Sequence, residues 1–347
     1  MSEIKRLTIK LGSQCNWSCS HCHNEPVNYK YNPKLIDFIR DNNYRRITFS
    51  GGEPLLYWNT IVKIVTALGH NGYQYRIITN GSLLDRAKIA FISHYNISII
   101  VSFDGSDGQR SNNPPTNWLM LSALKDISFS VVVYHNNMNM DKIHKELLDV
   151  CKQWQIRPKI SLQPEFIHQT SAVNDDTTFQ DTQQYCKQIS KIIEREIVAI
   201  INLPESARFE KMMNFHTLRK ALEKWYLPKD PNAKGIRCFT EKYHGISLDG
   251  RILLCPYNDK RVVGDIETGI DWDKIDGMIP EKCKKCDIFD VCRCSCLANI
   301  TDNECYIAKT MNRWLNKVIE KRNCKQILTD LWKQVHDHTF SQTEITI

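Results

Sequence analysis

Cys15, Cys19 and Cys22 form a C-x₃-C-x₂-C run near the start of the chain. Three thiolates that close together can hold three irons of a four-iron, four-sulfur cluster and leave the last iron without a protein ligand; thiolate ligation is the usual way proteins hold such clusters. An open iron on a low-potential cluster is a place to bind and reduce a small molecule. Zinc would want a fourth Cys or His, and His23 stands just downstream to supply one. Disulfides are not expected, because Met-Ser-Glu-Ile-Lys-Arg is not a secretory start.

Further along, four short segments carry groups that could face a ligand. Ser50-Gly51-Gly52-Glu53-Pro54 pairs two glycines, which let backbone come close to a ligand, with a carboxylate able to accept charge-assisted hydrogen bonds from an ammonium group. Thr79-Asn80-Gly81 and Ser102-Phe103-Asp104-Gly105 end two apolar runs, where turn residues are also the ordinary expectation. Gln163-Pro164-Glu165 offers a carboxylate that could act as a base or simply lie at the surface. The second half holds a denser set: Cys238-x₁₁-Gly250-x₄-Cys255, then Cys283-x₂-Cys286-x₅-Cys292-x₃-Cys296, then Cys305. Two zinc ribbons are an alternative for the C-x₂-C pair, but a hairpin pair before a quartet and a final single cysteine fits ribbons poorly.

These groups need a scaffold. The chain has 347 residues, 42% hydrophobic and 24% charged, which suits one large or two moderate soluble domains. No apolar run approaches a membrane span. The net charge of +7 is spread without a long basic run, a weak argument for nucleic acid. Fourteen cysteines without a secretory signal imply a reducing compartment and metal chemistry. Apolar and β-branched runs at Leu7–Leu11, Arg46–Ser50, Tyr75–Thr79, Ile97–Phe103, Ile127–Tyr134 and Lys159–Gln163 read as strands. Between them lie amphipathic stretches such as Leu35-Ile36-Phe38-Ile39 and Ile61-Val62-Ile64-Val65-Leu68, the latter ended by Gly69 and Gly72. Six β-then-α units make a parallel sheet with helices outside, and in such folds chemistry sits at the carboxyl ends of the strands. The cysteine run follows the first strand directly. Asn174–Trp225 reads as two helices, with Ile189, Ile192, Ile193 and Ile197 on one face, and Met311–Asp337 as another. Cys151, Cys186 and Cys324 fall in helical patterns as small core residues, and Cys294 is either an alternate ligand, a hydrogen-atom donor or a bystander.

The cysteine run with His21 before its last member, together with GGEP, TNG and S-x-D-G on successive strands, resembles the radical S-adenosylmethionine (SAM) superfamily. The seven later cysteines resemble its SPASM domain, and all seven positions match. The resemblance covers about residues 5–310. It implies an α/β fold: a partial (β/α)₆ TIM barrel over 1–170, a helical linker over 171–232, a small SPASM domain with a β-hairpin over 233–310 and a C-terminal helix over 311–347. It also implies three 4Fe-4S clusters and SAM as cofactors. Cys15, Cys19 and Cys22 would hold the SAM-binding cluster. His21, Gly51, Gly52, Glu53, Pro54, Thr79, Asn80, Ser102 and Asp104 would contact SAM, Glu53 gripping its amino group and Ser102 its carboxylate or ribose. Cys283, Cys286, Cys292 and Cys305 would hold an outer auxiliary cluster. Cys238, Cys255 and Cys296 would hold an inner one with an open iron or a non-cysteine ligand, since Asp230 to Arg237 contain no cysteine.

The activity implied is cleavage of SAM to a 5′-deoxyadenosyl radical, hydrogen abstraction, and a carbon–carbon or thioether crosslink in a ribosomally made precursor peptide. Flavodoxin or ferredoxin would supply electrons in the cytoplasm, with neither membrane nor nucleic acid as partner. Two-electron oxidation is the alternative, of the sulfatase-maturase or aminoglycoside-dehydrogenase type. The first has an Asp after the second hairpin cysteine, where this chain has Pro256. A non-enzymatic iron–sulfur or zinc scaffold for nucleic acid would leave GGEP and the strand-end motifs unexplained. The barrel pattern begins almost at the N-terminus, so no separate leader-peptide-binding domain is expected ahead of it.

Overall fold

The computed structural model describes residues 4–19, 22, 26–108, 115–133, 137–158, 160–166, 178–229, 234–236, 239–256, 258–294 and 302–341. Its first half repeats strand and helix: β1 (Lys5–Lys10), α1 (Leu35–Asp41), β2 (Tyr44–Ser50), α2 (Trp58–Leu68), β3 (Gln74–Thr79), α3 (Arg86–His94), β4 (Ser98–Ser102), α4 (Trp118–Leu121), β5 (Ile127–Val133), α5 (Met140–Gln153) and β6 (Ile160–Phe166). The six strands pair in order and in parallel. Gly69, at φ +80°, stops α2 as its sequence suggested.

Strand side chains alternate between two faces. One set, Leu7, Ile9, Ile47, Phe49, Tyr75, Ile77, Ile99, Val101, Phe129 and Val131, is buried in the same core as Leu35, Ile39, Ile61, Ile64, Ile92, Ile143 and Leu147 from the helices. The opposite, inner face is mostly polar: Arg6, Thr8 and Lys10 on β1, Arg46, Thr48 and Ser50 on β2, Arg76 on β3, Ser98 and Ser102 on β4, Ser128 and Ser130 on β5, with Ile78, Ile100 and Val132 between them. A closed barrel normally fills its interior with Val, Ile and Leu. This one carries a mostly polar inner face.

The remaining elements are α6 (Phe179–Ile201), α7 (Glu205–Asn214), α8 (His216–Trp225), β7 (Gly235–Ile236), β8 (Phe239–Thr240), β9 (Tyr243–Ser247), β10 (Arg251–Cys255), β11 (Asn258–Asp265), β12 (Gly269–Ile270), α9 (Trp272–Gly277), α10 (Glu281–Lys284), α11 (Phe289–Cys292), α12 (Asp302–Lys321) and α13 (Lys325–Ser341). Strand β9 pairs in parallel with β1, Thr8 opposite Gly245 and Lys10 opposite Ser247. Among the described residues the sheet therefore runs β12-β11-β10-β9-β1-β2-β3-β4-β5-β6, and its two ends do not pair. The barrel is open, and the hairpin bearing Cys255 continues the sheet from its first strand.

Two helical expectations are corrected. The stretch read as two helices between 174 and 225 holds three among the described residues, because Pro204 precedes a new start at Glu205 and the chain turns again at Phe215. The stretch from Met311 belongs to two helices, broken where Asn323 takes φ +47° and Cys324 is buried. Helix α12 packs on α6 and α8, and α13 on α7. Among the described residues no helix is long and apolar enough to cross a membrane.

Candidate active site

The cysteine loop leaves the carboxyl end of β1 and is pinned by backbone. Leu11 N–H donates to Ser50 O, Gly52 N–H to Gly12 O at 2.9 Å and Glu53 N–H to Gln14 O at 2.8 Å, so the GGE segment extends the β1–β2 pairing into the loop. A Cβ on Gly52 would lie 2.2 Å from Gln14 O, and one on Gly51, at φ +152°, 2.5 Å from Gly12 O. Among the described residues, then, the paired glycines permit close approach to the cysteine loop itself. Ser13 closes the loop's far end, its Oγ donating to Val27 O and accepting from Val27 N–H. Tyr57 OH accepts Gln14 N–H at 3.0 Å.

Glu53 is 1% exposed, and protein donors surround its carboxylate. Leu55 N–H and Thr79 Oγ1 donate to Oε1 at 2.9 and 2.7 Å, and Asn80 N–H donates to Oε2 at 2.8 Å. An ionised carboxylate has about four acceptor positions; three are used here. Burial raises its pKa, while these donors pull it down. Asn80 reaches onward: its Nδ2 donates to Asn16 Oδ1, and Asn16 Nδ2 donates to Ser82 Oγ. Asn16 lies inside the cysteine run. One network thus joins the ends of β2 and β3 to the loop holding the thiols. Asn16, Ser13 and Tyr57 were missed from sequence; nothing local marks their long-range partners.

Cys15 and Cys22 are exposed and Cys19 is half-buried, and none of the three forms a disulfide among the described residues. Cys22 N–H donates to Cys19 O, a tight turn bringing those residues together, and Trp17 N–H donates to Cys15 Sγ. Desolvation pushes the Cys15 thiol up, and Glu53 and Cys22 add to this. Among the described residues no three His, Cys, Asp or Glu side chains converge as the ligands of a single ion. A four-iron cluster instead takes thiolates on separate irons around a larger core, and soft thiolates are the donors it uses. Three thiols on one pinned loop suit that group.

Ser102 ends β4 opposite Ser130, on the inner face. Asp104 is buried and takes a structural part: its Oδ1 accepts Val132 N–H at 3.0 Å, and its carbonyl accepts from Asn137 Nδ2. Glu165 falls in β6 opposite Val132. Deeper on the inner face, Lys10 is fully buried and donates to Asp259 Oδ2 of β11 at 2.5 Å, while Asp259 Oδ1 and the neighbouring Ser50 Oγ are buried without a hydrogen-bond partner among the described residues. Sequence reading passed over this pair.

In the cysteine-rich region, Cys255 ends β10, Cys283 is buried in α10, Cys286 follows it by a turn, Cys292 ends α11, and Cys305 lies in α12. Cys151, Cys186 and Cys324 are buried, as expected of core residues. His21, Cys238 and Cys296 lie outside the described residues.

An open parallel barrel with a cysteine loop after its first strand defines a class, and residues 9–151 match the Radical SAM superfamily. That domain implies a four-iron, four-sulfur cluster and SAM. Among curated relatives, the chain is 33% identical over 112 residues to the uncharacterized protein MJ0907 of Methanocaldococcus jannaschii, covering 29% of this chain and 39% of that protein. It is 30% identical over 129 residues to the radical SAM cyclopropyl synthase TigE of Paramaledivibacter caminithermalis, covering 29% and 27%. These matches span well under half of each relative's length. Among solved structures, anSMEcpe with bound AdoMet and Kp18Cys peptide superposes with a TM-score of 0.61 at 18% identity, over 92% of this chain and 99% of that one. Streptococcus suis SuiB bound to S-adenosylmethionine gives 0.57 at 16%, over 88% and 75%. Both superpositions extend over most of this chain.

Proposed function

We propose that this protein is a radical SAM/SPASM maturase that installs a carbon–carbon or thioether crosslink in a ribosomally made peptide. The observation carrying this reading is the parallel pairing of β9 with β1. It makes the strand that leads to Cys15 and the hairpin that leads to Cys255 neighbours in one sheet, so a substrate on the polar inner face would lie between two thiol sites. The peptide bound in anSMEcpe supports a peptide as substrate.

In this reading Cys15, Cys19 and Cys22 hold the SAM-binding cluster. Gly51, Gly52, Glu53 and Pro54, with Thr79 and Asn80, shape the SAM amino-acid site, and Ser102 offers its hydroxyl from β4. Asp104 holds the β4 end in place. When bound, cluster and SAM supply one electron and the 5′-deoxyadenosyl radical that removes a substrate hydrogen atom. The protein binds, orients and excludes water. Cys283, Cys286, Cys292 and Cys305 belong to an outer auxiliary cluster, and Cys238, Cys255 and Cys296 to an inner one. A flavodoxin or ferredoxin is the electron donor. Two-electron oxidation of a substrate is the second reading. It rests on Asp259, a buried carboxylate on the hairpin with one oxygen uncommitted among the described residues.

Anaerobically reconstituted protein should hold about twelve irons per chain, three clusters' worth of thiolate ligation. Replacing Cys15, Cys19 and Cys22 by Ala should remove about a third of that iron and all SAM cleavage. Zinc without iron after reconstitution would overturn the whole reading. Peptides encoded in neighbouring reading frames, incubated with SAM and reductant, should lose two hydrogens and gain a crosslink visible by tandem mass spectrometry; loss of hydrogen without a crosslink favours the oxidation reading.

A further inference from the structure

Three arginines stand side by side on the inner face, near the amino ends of the first three strands. Arg6 and Arg46 are register partners across β1 and β2, strands that lie about 5 Å apart. Arg46 partners Gln74 and Thr48 partners Arg76, so Arg76 is one diagonal step from Arg46 on the same face. Arg76 in turn faces Ser98 on β4. Like charges opposed on a sheet destabilise it, so the row costs the fold stability and needs a reason.

Solvent reaches this row. On β3, Gln74, Arg76 and Ile78 are partly exposed, whereas Tyr75, Ile77 and Thr79 on the other face are buried. Arg6 and Arg46 are partly exposed as well. The acceptors around the row are neutral or already engaged. Arg46 Nε donates to Gln74 Oε1 at 2.8 Å. The Arg76 side chain makes no hydrogen bond among the described residues, and the carboxylate that acts on it, Asp126, accepts Ser98 Oγ at 2.7 Å. Glu223 of α8 answers to Lys220 and Lys229 before Arg6. Desolvation, then the charges of Arg6 and Arg76, push the Arg46 guanidinium down to about 10. Side chains that solvent reaches and protein nonetheless desolvates line a concavity.

We infer that the row of Arg6, Arg46 and Arg76 is an anion subsite that takes a carboxylate side chain of the peptide substrate. The inference rests on the peptide reading above. Each guanidinium presents a planar fork of N–H donors that matches the two oxygens of a carboxylate. Arg46 lies four residues before Ser50 on β2, about 13 Å from the strand end where the cysteine loop sits. An extended peptide covers that span in about four residues. The acidic residue therefore stands about three to five positions from the residue that gives up its hydrogen atom, and its capture sets the register of the peptide in the barrel.

The test is anion binding to reconstituted full-length protein, read as melting temperature against the concentration of glutarate or of inorganic phosphate. Glutarate should raise the wild-type melting temperature. Arg46→Gln and Arg76→Gln should bind it about tenfold more weakly or worse. Without probe they should melt no lower than wild type, because each removes a like-charge repulsion. Arg45→Gln takes the same charge from a side chain that lies over the Tyr73 ring, 4.9 Å from its centroid, and should keep the wild-type response. No glutarate response in wild type, an equal response in all three variants, or a response to phosphate alone overturns the proposal. In a peptide that the enzyme modifies, changing the acid three to five positions from the modified residue to its amide should raise KM about tenfold with kcat unchanged. A modified peptide with no acid in that range also overturns the proposal. Should no peptide be modified while glutarate still binds through Arg46 and Arg76, the maturase reading fails and the anion site stands, so the two failures are distinguishable.

Discussion

The backbone N–H of Asn80 donates to Oε2 of Glu53 at 2.8 Å, across the ends of two neighbouring strands. Because Asn80 also reaches Asn16 in the cysteine loop, this contact sets the loop's position relative to the barrel rim. Glu53 is a structural hub.

Glu53→Ala should therefore cost stability as well as SAM affinity. It leaves Leu55 N–H, Asn80 N–H and the Thr79 hydroxyl without their acceptor, a loss of about 3 kcal/mol or more. A lost charge-assisted contact to SAM would weaken binding by about ten- to a hundredfold. Thermal melts of apoprotein and calorimetric SAM titration separate the two effects. Unchanged SAM affinity would leave Glu53 a structural residue only, and an unchanged melt would remove the hub.

Gly52→Ala should displace the cysteine loop. Its Cβ would meet Gln14 O at 2.2 Å and Ser13 O at 2.4 Å, both backbone atoms that cannot rotate away. A loss of about 2 kcal/mol or more is expected, with lowered iron occupancy in the SAM-binding cluster. Gly277→Ala, at the end of α9 with nothing within 4 Å, is the control and should gain up to about 1 kcal/mol. Equal melts for the two variants would show that the close backbone approach carries no energy.

Breaking the pair between Lys10 and Asp259 should destabilise the junction of barrel and hairpin. Lys10→Met leaves a buried carboxylate unpaired, at a cost of about 3–5 kcal/mol. Adding Asp259→Leu should restore most of that, because the desolvated charge goes too. Urea unfolding of the two single variants and the double measures the coupling. A double variant no more stable than Lys10→Met would contradict a buried, mutually dependent pair.

Glu196 supplies a pH test away from any thiol. Burial raises its pKa to about 7, although its carboxylate accepts Leu218 N–H at 2.8 Å. Its folded pKa lies above the unfolded value, so the folded state binds the proton more tightly. The stability this brings is complete below about pH 4 and is lost as the pH rises through about 7. Glu196→Gln keeps an acceptor and carries no charge. It should exceed wild type by about 1–3 kcal/mol at pH 8 and match it near pH 4. A difference independent of pH would place the Glu196 carboxylate in water.

Local features carried much of this protein into view. Cysteine spacing, the residues ending each strand and the alternation of apolar side chains announced six parallel strands with thiols at the first strand's carboxyl end, because each is a property of a few adjacent residues. The helix break at Asn323 escaped because its apolar pattern continues past it into Leu328 and Leu331. What only the tertiary structure decided are pairings between distant segments: β9 beside β1, Lys10 with Asp259, and Asn80 with both Glu53 and Asn16. Such contacts bring together groups up to 249 positions apart. They follow from how the sheet curves and which buried polar groups must find each other, and no local period in the chain encodes either.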